Sequence, residues 1–267
     1  MPDRAERRSV LIRDLLGAFT HDNRPLTAES VADVQRVAQQ TSRHLFLFHE
    51  ESSNAMVDTV SRGWPSPDDA AVRRCAGGVR SVHRVDGVAV VQLASLEPIR
   101  LSEPYLLAAI DHAEGAERLV LDLRGNGGGD PGVVELLCRW LLGPGVPIST
   151  VHRGDGFPDD VWRTRTLPNL RSHFAGPVDV LVDSSTFSSA EALVYHLHVR
   201  GRVRVFGEPT KGGGDHVTPI QLTPTVLGIL PCAVVEDAET ATNWEGIGVP
   251  IDVAAAGESA LDIVLAD

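Results

Sequence analysis

The stretch "RLVLDLRGNGGG" (residues 118–129), with "PGVVELLCRWLLG" (131–143) directly behind it, decides how this chain folds. Its apolar run from Leu119 to Leu123, broken only by Asp122, is the pattern of a buried strand. Four glycines within residues 125–129 then stop the strand, and Pro131 opens a segment with helical apolar spacing.

The same alternation continues on both sides. "GVAVVQLAS" (87–95) reads as a strand and "EPYLLAAIDHAEG" (103–115) as a helix. "PISTVHRG" (147–154) and "PVDVLVDSS" (177–185) read as strands, "SSTFSSAEALVYHL" (184–197) as a helix and "RVRVFGEPT" (202–210) as a strand. Strands alternating with helices imply βαβ units, an α/β fold with a mostly parallel sheet, and ligand sites at the carboxyl ends of its strands. Upstream, residues 5–20 and 27–40 read as helices, the second capped by Thr27. "HLFLFHEE" (44–51) reads as a strand, and residues 52–72, with Gly63, Pro65 and Pro67, as a loop or linker. The tail segments "VTPIQLTP", "GILPCAVVEDA" and "GIGVPIDV" look like short strands and turns.

The 267 residues carry 36 acidic against 24 basic side chains, a formal charge of −12 that a nucleic acid or anionic membrane surface would repel. Cys75, Cys138 and Cys232 are odd in number and scattered, as in a reducing compartment. The N-terminus lacks the apolar core of a signal peptide, and no stretch approaches the roughly 20 apolar residues of a membrane span. A cytoplasmic location is expected. No HExxH or other metal-ligand spacing occurs, so neither a metal nor a cofactor is expected.

Three features carry chemistry. The glycine cluster leaves backbone amides free to point at an anion; it serves either as a tight turn or as an oxyanion hole built on Gly127 and Gly128. Ser188 follows a buried strand and starts a helix, where Ser188-x-x-Glu191 matches a capping box. The same free amides and helix dipole favour a developing negative charge, so capping and nucleophile readings coexist. Of ten histidines, His196 and His198 lie about two turns along that helix, too far to reach back to Ser188, which leaves His44 and His216 as candidate bases.

Taken together, "LVLDLRGNGGG", "STFSSAEALVYHLHVRGRVRVFGEPTKGGG" and "NWEGIGVPIDV" resemble the tail-specific, C-terminal-processing serine peptidase superfamily over roughly residues 75–255. The nearest branch looks like that of the tricorn core and the interphotoreceptor retinoid-binding protein repeats. The resemblance implies a crotonase-like ββα core over residues 73–267 with a mixed, mostly parallel sheet. A small N-terminal helical segment (1–72, with one strand and a linker) precedes it, and there is no room for a PDZ domain. It implies Ser188 as nucleophile, with the Ser189 amide and Gly127 or Gly128 holding the oxyanion. The family's catalytic lysine would fall at Gly213, so Lys211 is two residues early and a serine–lysine dyad is doubtful. The tricorn-like arrangement instead implies His44 as base and Glu245 as its acidic partner, with Ser42, His216 and Lys211 as supporting candidates.

The expected function is a serine hydrolase, a peptidase acting on peptide or protein chains through an acyl-enzyme. An acyl-transfer or cyclising enzyme, and a non-catalytic binding module for an apolar ligand or an extended peptide, are the alternatives. No nucleic-acid or membrane partner is expected, and a homo-oligomer is compatible with the sequence.

Overall fold

The computed structural model describes residues 14, 15, 17, 27–49, 64–153, 157–165, 173–257 and 259–266. The helix expected at 5–20 falls outside these except for Asp14, Leu15 and Gly17, which are helical. The chain then forms α1 (Ala28–Ala38), β1 (Phe46–His49), α2 (Asp69–Arg74), β2 (Val79–Val85), β3 (Val88–Leu93) and α3 (Ile99–Ala113). Next come β4 (Arg118–Asp122), α4 (Pro131–Leu142), β5 (Pro147–His152), β6 (Asp160–Arg163), β7 (Val178–Val182) and α5 (Ser189–His198). The last elements are β8 (Arg204–Gly207), β9 (His216–Thr223), β10 (Val226–Asp237), β11 (Val253–Ala254) and α6 (Ser259–Ala266).

These elements divide into two compact units. One takes the described residues up to Ser66 together with Val151–Asp160 and Asp215–Val235. In it, β1 and β9 each pair antiparallel with β10. Thr27 caps α1 as expected, accepting from Ser30 N at 3.2 Å. Val31 and Ala38 of that helix pack with Leu45, Leu47, Leu222, Val226 and Leu230 in a small apolar core.

The other unit takes Pro67–Thr150, Val161–Gly214 and Glu236–Asp267. It holds a six-stranded sheet in the order β11-β8-β7-β4-β3-β2, parallel throughout except for the β2–β3 hairpin. Val90, Val120, Leu181 and Phe206 share one face with Ala260 and Val264 of α6. The alternate residues Leu119, Leu121, Val180 and Val205 are fully buried as well, so these strands are covered on both faces, as their apolar runs require.

Three local differences from the expectation have clear causes. The strand "VRSVHRV" (β2), unassigned in the sequence, is made by a two-residue turn in which Asp86 and Gly87 both take positive φ (47° and 84°). The helix expected from 103 begins at Ile99, whose N–H donates to Asp130 Oδ2 at 2.8 Å, which leaves Pro104 inside it. Asp68 caps a short helix at the end of the stretch read as linker, accepting from Ala70 N at 2.9 Å.

Candidate active site

The parallel strands β4, β7 and β8 end at the same edge, so the turns that follow them, 123–130, 183–188 and 208–214, gather there. The first turn is held from within by Asn126, which is fully buried. Its amide Nδ2 donates to Leu93 O (2.9 Å), its Oδ1 accepts from Gly128 N (2.9 Å), and its carbonyl accepts from Phe187 N (3.0 Å). Gly128 has φ 91°, and a Cβ there would lie 2.7 Å from Phe187 O, 2.8 Å from Ser188 Cβ and 2.9 Å from Ser189 N. Only glycine lets the two turns touch this closely. The Gly128 amide is thus spent on Asn126, whereas the amides of exposed Gly127 and of Ser189 have no hydrogen-bond partner among the described residues.

Ser188 stands as N-cap of α5 with φ 56° and ψ −127°, a conformation that costs a non-glycine residue about 1–3 kcal/mol. It is half-buried, and its N–H donates to Glu191 Oε2 at 2.9 Å, the glutamate half of the capping box. Ser189 Oγ donates to Gly129 O at 2.8 Å, which ties the start of α5 to the glycine turn.

Glu191 does more than cap. Fully buried, it also accepts from Thr210 Oγ1 (2.6 Å), Gly212 N (2.7 Å) and Gly213 N (2.8 Å). Burial raises the pKa of this carboxyl, against the pull of its four donors. The 208–214 loop is held again from the other side. Trp244 Nε1 donates to Gly213 O (3.1 Å), Gly246 N to Gly212 O (2.8 Å), and Glu245 Oε2 accepts from Gly214 N (2.6 Å). Gly213, where the resemblance puts a lysine in other members, lies flat against Phe187: a Cβ would be 2.2 Å from its ring. A side chain there requires the Phe187 ring to move. Lys211, the only lysine in the chain, is exposed with Nζ 5.6 Å from the centre of the Phe187 ring.

Ser188, Ser189, Gly127, Gly128, Lys211 and Glu245 all belong to the unit of the six-stranded sheet. Ser42, His44 and His216 belong to the other. There His44 is buried, its N–H donates to Ser42 Oγ (3.2 Å), and its Nδ1 lies 2.5 Å from Asp215 O. A carbonyl only accepts, so Nδ1 carries the proton and Nε2 is the basic nitrogen. His216 begins β9 opposite Ala233, and burial, with Arg153 adding to it, lowers its pKa.

One constellation was not legible in the sequence. Ser149 Oγ lies 2.8 Å from His196 Nε2, and His196 Nδ1 lies 2.8 Å from Asp237 Oδ2. The order is that of a serine–histidine–aspartate triad, but the three are 3%, 0% and 0% exposed. Arg200 Nη1 also donates to Asp237, at 2.5 Å. Burial alone would raise the Asp237 pKa; the bonds from His196 and Arg200 overturn that and hold it far below the usual carboxylate range. Burial lowers the pKa of His196, against the pull of Asp237. This is a satisfied core network, which also sets His196 edge-on to Trp244 at 5.7 Å.

Among the described residues no group of His, Cys, Asp and Glu could hold a metal ion, and no helix is long and apolar enough to cross a membrane.

The model of peptidase family S41 matches residues 87–255. Among solved structures, the chain is similar to a lipoprotein from Streptococcus agalactiae, with 17% identity over 99% of this chain and 92% of that one, at a TM-score of 0.64. It is similar to the photosystem II D1 C-terminal processing protease at 25% identity and a TM-score of 0.51, covering 64% of this chain and 43% of that one. Mature CPAF is similar at 14% identity and a TM-score of 0.51, covering 67% and 51%. The first and third likenesses speak to the fold alone.

Proposed function

The chain belongs to peptidase family S41 and is of serine-peptidase type, and from that premise we propose that it cleaves peptide or protein chains through an acyl-enzyme on Ser188. The observation that carries this reading is the close approach of two turns. Ser188 is held in a strained N-cap conformation, Gly128 is pressed against it, and the unpaired amides of Gly127 and Ser189 belong to those same turns.

In the proposed reaction Ser188 Oγ attacks the scissile carbonyl and its proton passes to Nε2 of His44. The oxyanion is stabilised by the amides of Gly127 and Ser189, worth about 10²–10³ in rate for each well-placed donor. Gly128 shapes the turn, since its own amide is engaged by Asn126. Collapse expels the amine, which takes the proton from His44, and water then enters by the same steps in reverse. His44 is preferred over His216 because the Asp215 carbonyl selects the tautomer a general base needs. Glu245 acts on that base at one remove: its carboxylate holds Gly214, the residue before Asp215. The reading takes the core as crotonase-like. It places the protein in the cytoplasm, in keeping with three scattered cysteines that form no CxxC.

A fluorophosphonate probe tests the proposal. Labelling of the wild-type protein that is lost in Ser188→Ala, together with Ser188-dependent cleavage of a peptide mixture followed by mass spectrometry, is expected. Absence of Ser188-dependent labelling, with intact peptides recovered bound, would favour the binding-module alternative and overturn the peptidase reading.

A further inference from the structure

The glycine turn after β4 and the serine turn after β7 are separate stretches of chain, yet the proposed oxyanion donors lie one on each: Gly127 on the first, Ser189 at the end of the second. Their spacing therefore depends on what ties the turns together. Three ties are single neutral hydrogen bonds, Phe187 N to Asn126 O (3.0 Å), Thr186 Oγ1 to Leu123 O (3.0 Å) and Ser189 Oγ to Gly129 O (2.8 Å). The fourth is a carboxylate. Asp183, one residue past β7, accepts from Gly125 N with both oxygens, each at 3.0 Å. Within its own turn, the same side chain accepts on Oδ1 from Ser185 N (2.8 Å) and Thr186 N (3.0 Å). Donors from two loops thus converge on one ionised group, where hydrogen bonds are roughly twice as strong as between neutral partners.

We infer that Asp183 is a positioning residue that clamps the glycine turn to the serine turn and so sets the distance between Ser188 and the Gly127 amide. The inference rests on the peptidase reading of Ser188. Asp183 takes no part in the chemistry: its oxygens are occupied by backbone donors, and it acts only through Gly125 and through the turn that carries Thr186. Displacing the proposed Gly127 donor leaves substrate binding intact and weakens a contact made in the transition state, so the effect falls on kcat and leaves KM in place.

The experiment compares wild type, Asp183→Ala and Asp183→Asn by two readouts. Hydrogen exchange followed by mass spectrometry is read on peptides covering 123–129 and 183–188, and steady-state kinetics and fluorophosphonate labelling rates are read on the folded proteins. In Asp183→Ala, exchange should rise in both segments, although the substitution lies in only one. Both kcat and the labelling rate should fall roughly 10- to 100-fold with KM within about threefold, the size expected when a reacting group is misplaced by about 1 Å. Asp183→Asn keeps an acceptor for Ser185 and Thr186 but turns an amide donor toward Gly125. It should loosen 123–129 alone, with an intermediate loss of kcat, and it serves where the alanine variant fails to fold. Unchanged exchange at 123–129 in both variants overturns the clamp whether or not the protein is active. Raised exchange with unchanged kcat overturns its positioning role. A wild-type protein with no Ser188-dependent labelling overturns the peptidase reading instead, and the exchange data still decide the clamp.

Discussion

Replacing Gly128 by alanine should disable Ser188 without altering it. An added Cβ would stand 2.7 Å from Phe187 O, 2.8 Å from Ser188 Cβ and 2.9 Å from Ser189 N, whereas ordinary contact begins near 3.4 Å. Two of the three are main-chain atoms, so no side-chain rotation relieves the overlap, and Ser188 Cβ must withdraw by about 0.6 Å. The backbone at φ 91° adds strain of roughly 1–2 kcal/mol for any L-residue with a Cβ. Overpacking adds about 1–3 kcal/mol more. At about 2–4 °C per kcal/mol for a chain of this size, Tm should fall by roughly 4–20 °C. The catalytic effect is separate, because sub-ångström displacement of a nucleophile from its oxyanion donors costs up to about 100-fold in rate. Measured well below Tm, with circular dichroism confirming the fold, kcat and the fluorophosphonate labelling rate should drop about 10- to 100-fold while KM holds. A Gly128→Ala protein that keeps more than half its labelling rate would refute the packing argument.

Two further outcomes are expected. Lys211→Met should retain at least half of the wild-type kcat if a histidine is the base. Loss of activity to background would move the base to Lys211. For stability, His196 has a folded pKa below its ordinary 6.5, so between those values the unfolded chain binds more protons. Stability is then full above pH 6.5 and falls as pH drops toward the lowered value, where Asp237, Arg200, Ser149 and Trp244 surround the ring. His216 contributes in the same direction. Urea midpoints from pH 8 to pH 5 should fall, and His196→Asn should flatten part of that slope; a wild-type profile flat through this range refutes it.

What the sequence made legible follows from locality. The apolar run of β4, the glycines behind it and the serine opening α5 each carry their meaning within a dozen residues, and the structure places them as read. The β2 strand escaped because its apolar positions, Val79, Val82 and Val85, recur every third residue rather than every second, and the Asp86–Gly87 turn was the one signal that could have found it. Glu191 was read as a cap, but its three bonds to the 208–214 loop depend on a contact some 20 residues away. Asp183, placed before Ser-Ser-Thr at a strand end, carried a recognisable turn signal for its local bonds, though not for Gly125. The Ser149–His196–Asp237 chain joins residues 47 and 41 positions apart, and helical spacing, which correctly separated His196 from Ser188, says nothing about strands packed beside it.

The loop at 208–214 is fixed almost entirely through main-chain atoms and glycines, by Glu191, Trp244, Glu245 and Gly246. Lys211 on it presents a long, exposed side chain to solvent. A rigid mount with one interchangeable position is a convenient place to alter what the protein prefers. A library at residue 211 would sample acidic, aromatic and small side chains beside Phe187 without asking the core to repack. Selectivity could drift there across related proteins while the surrounding bonds stay as they are.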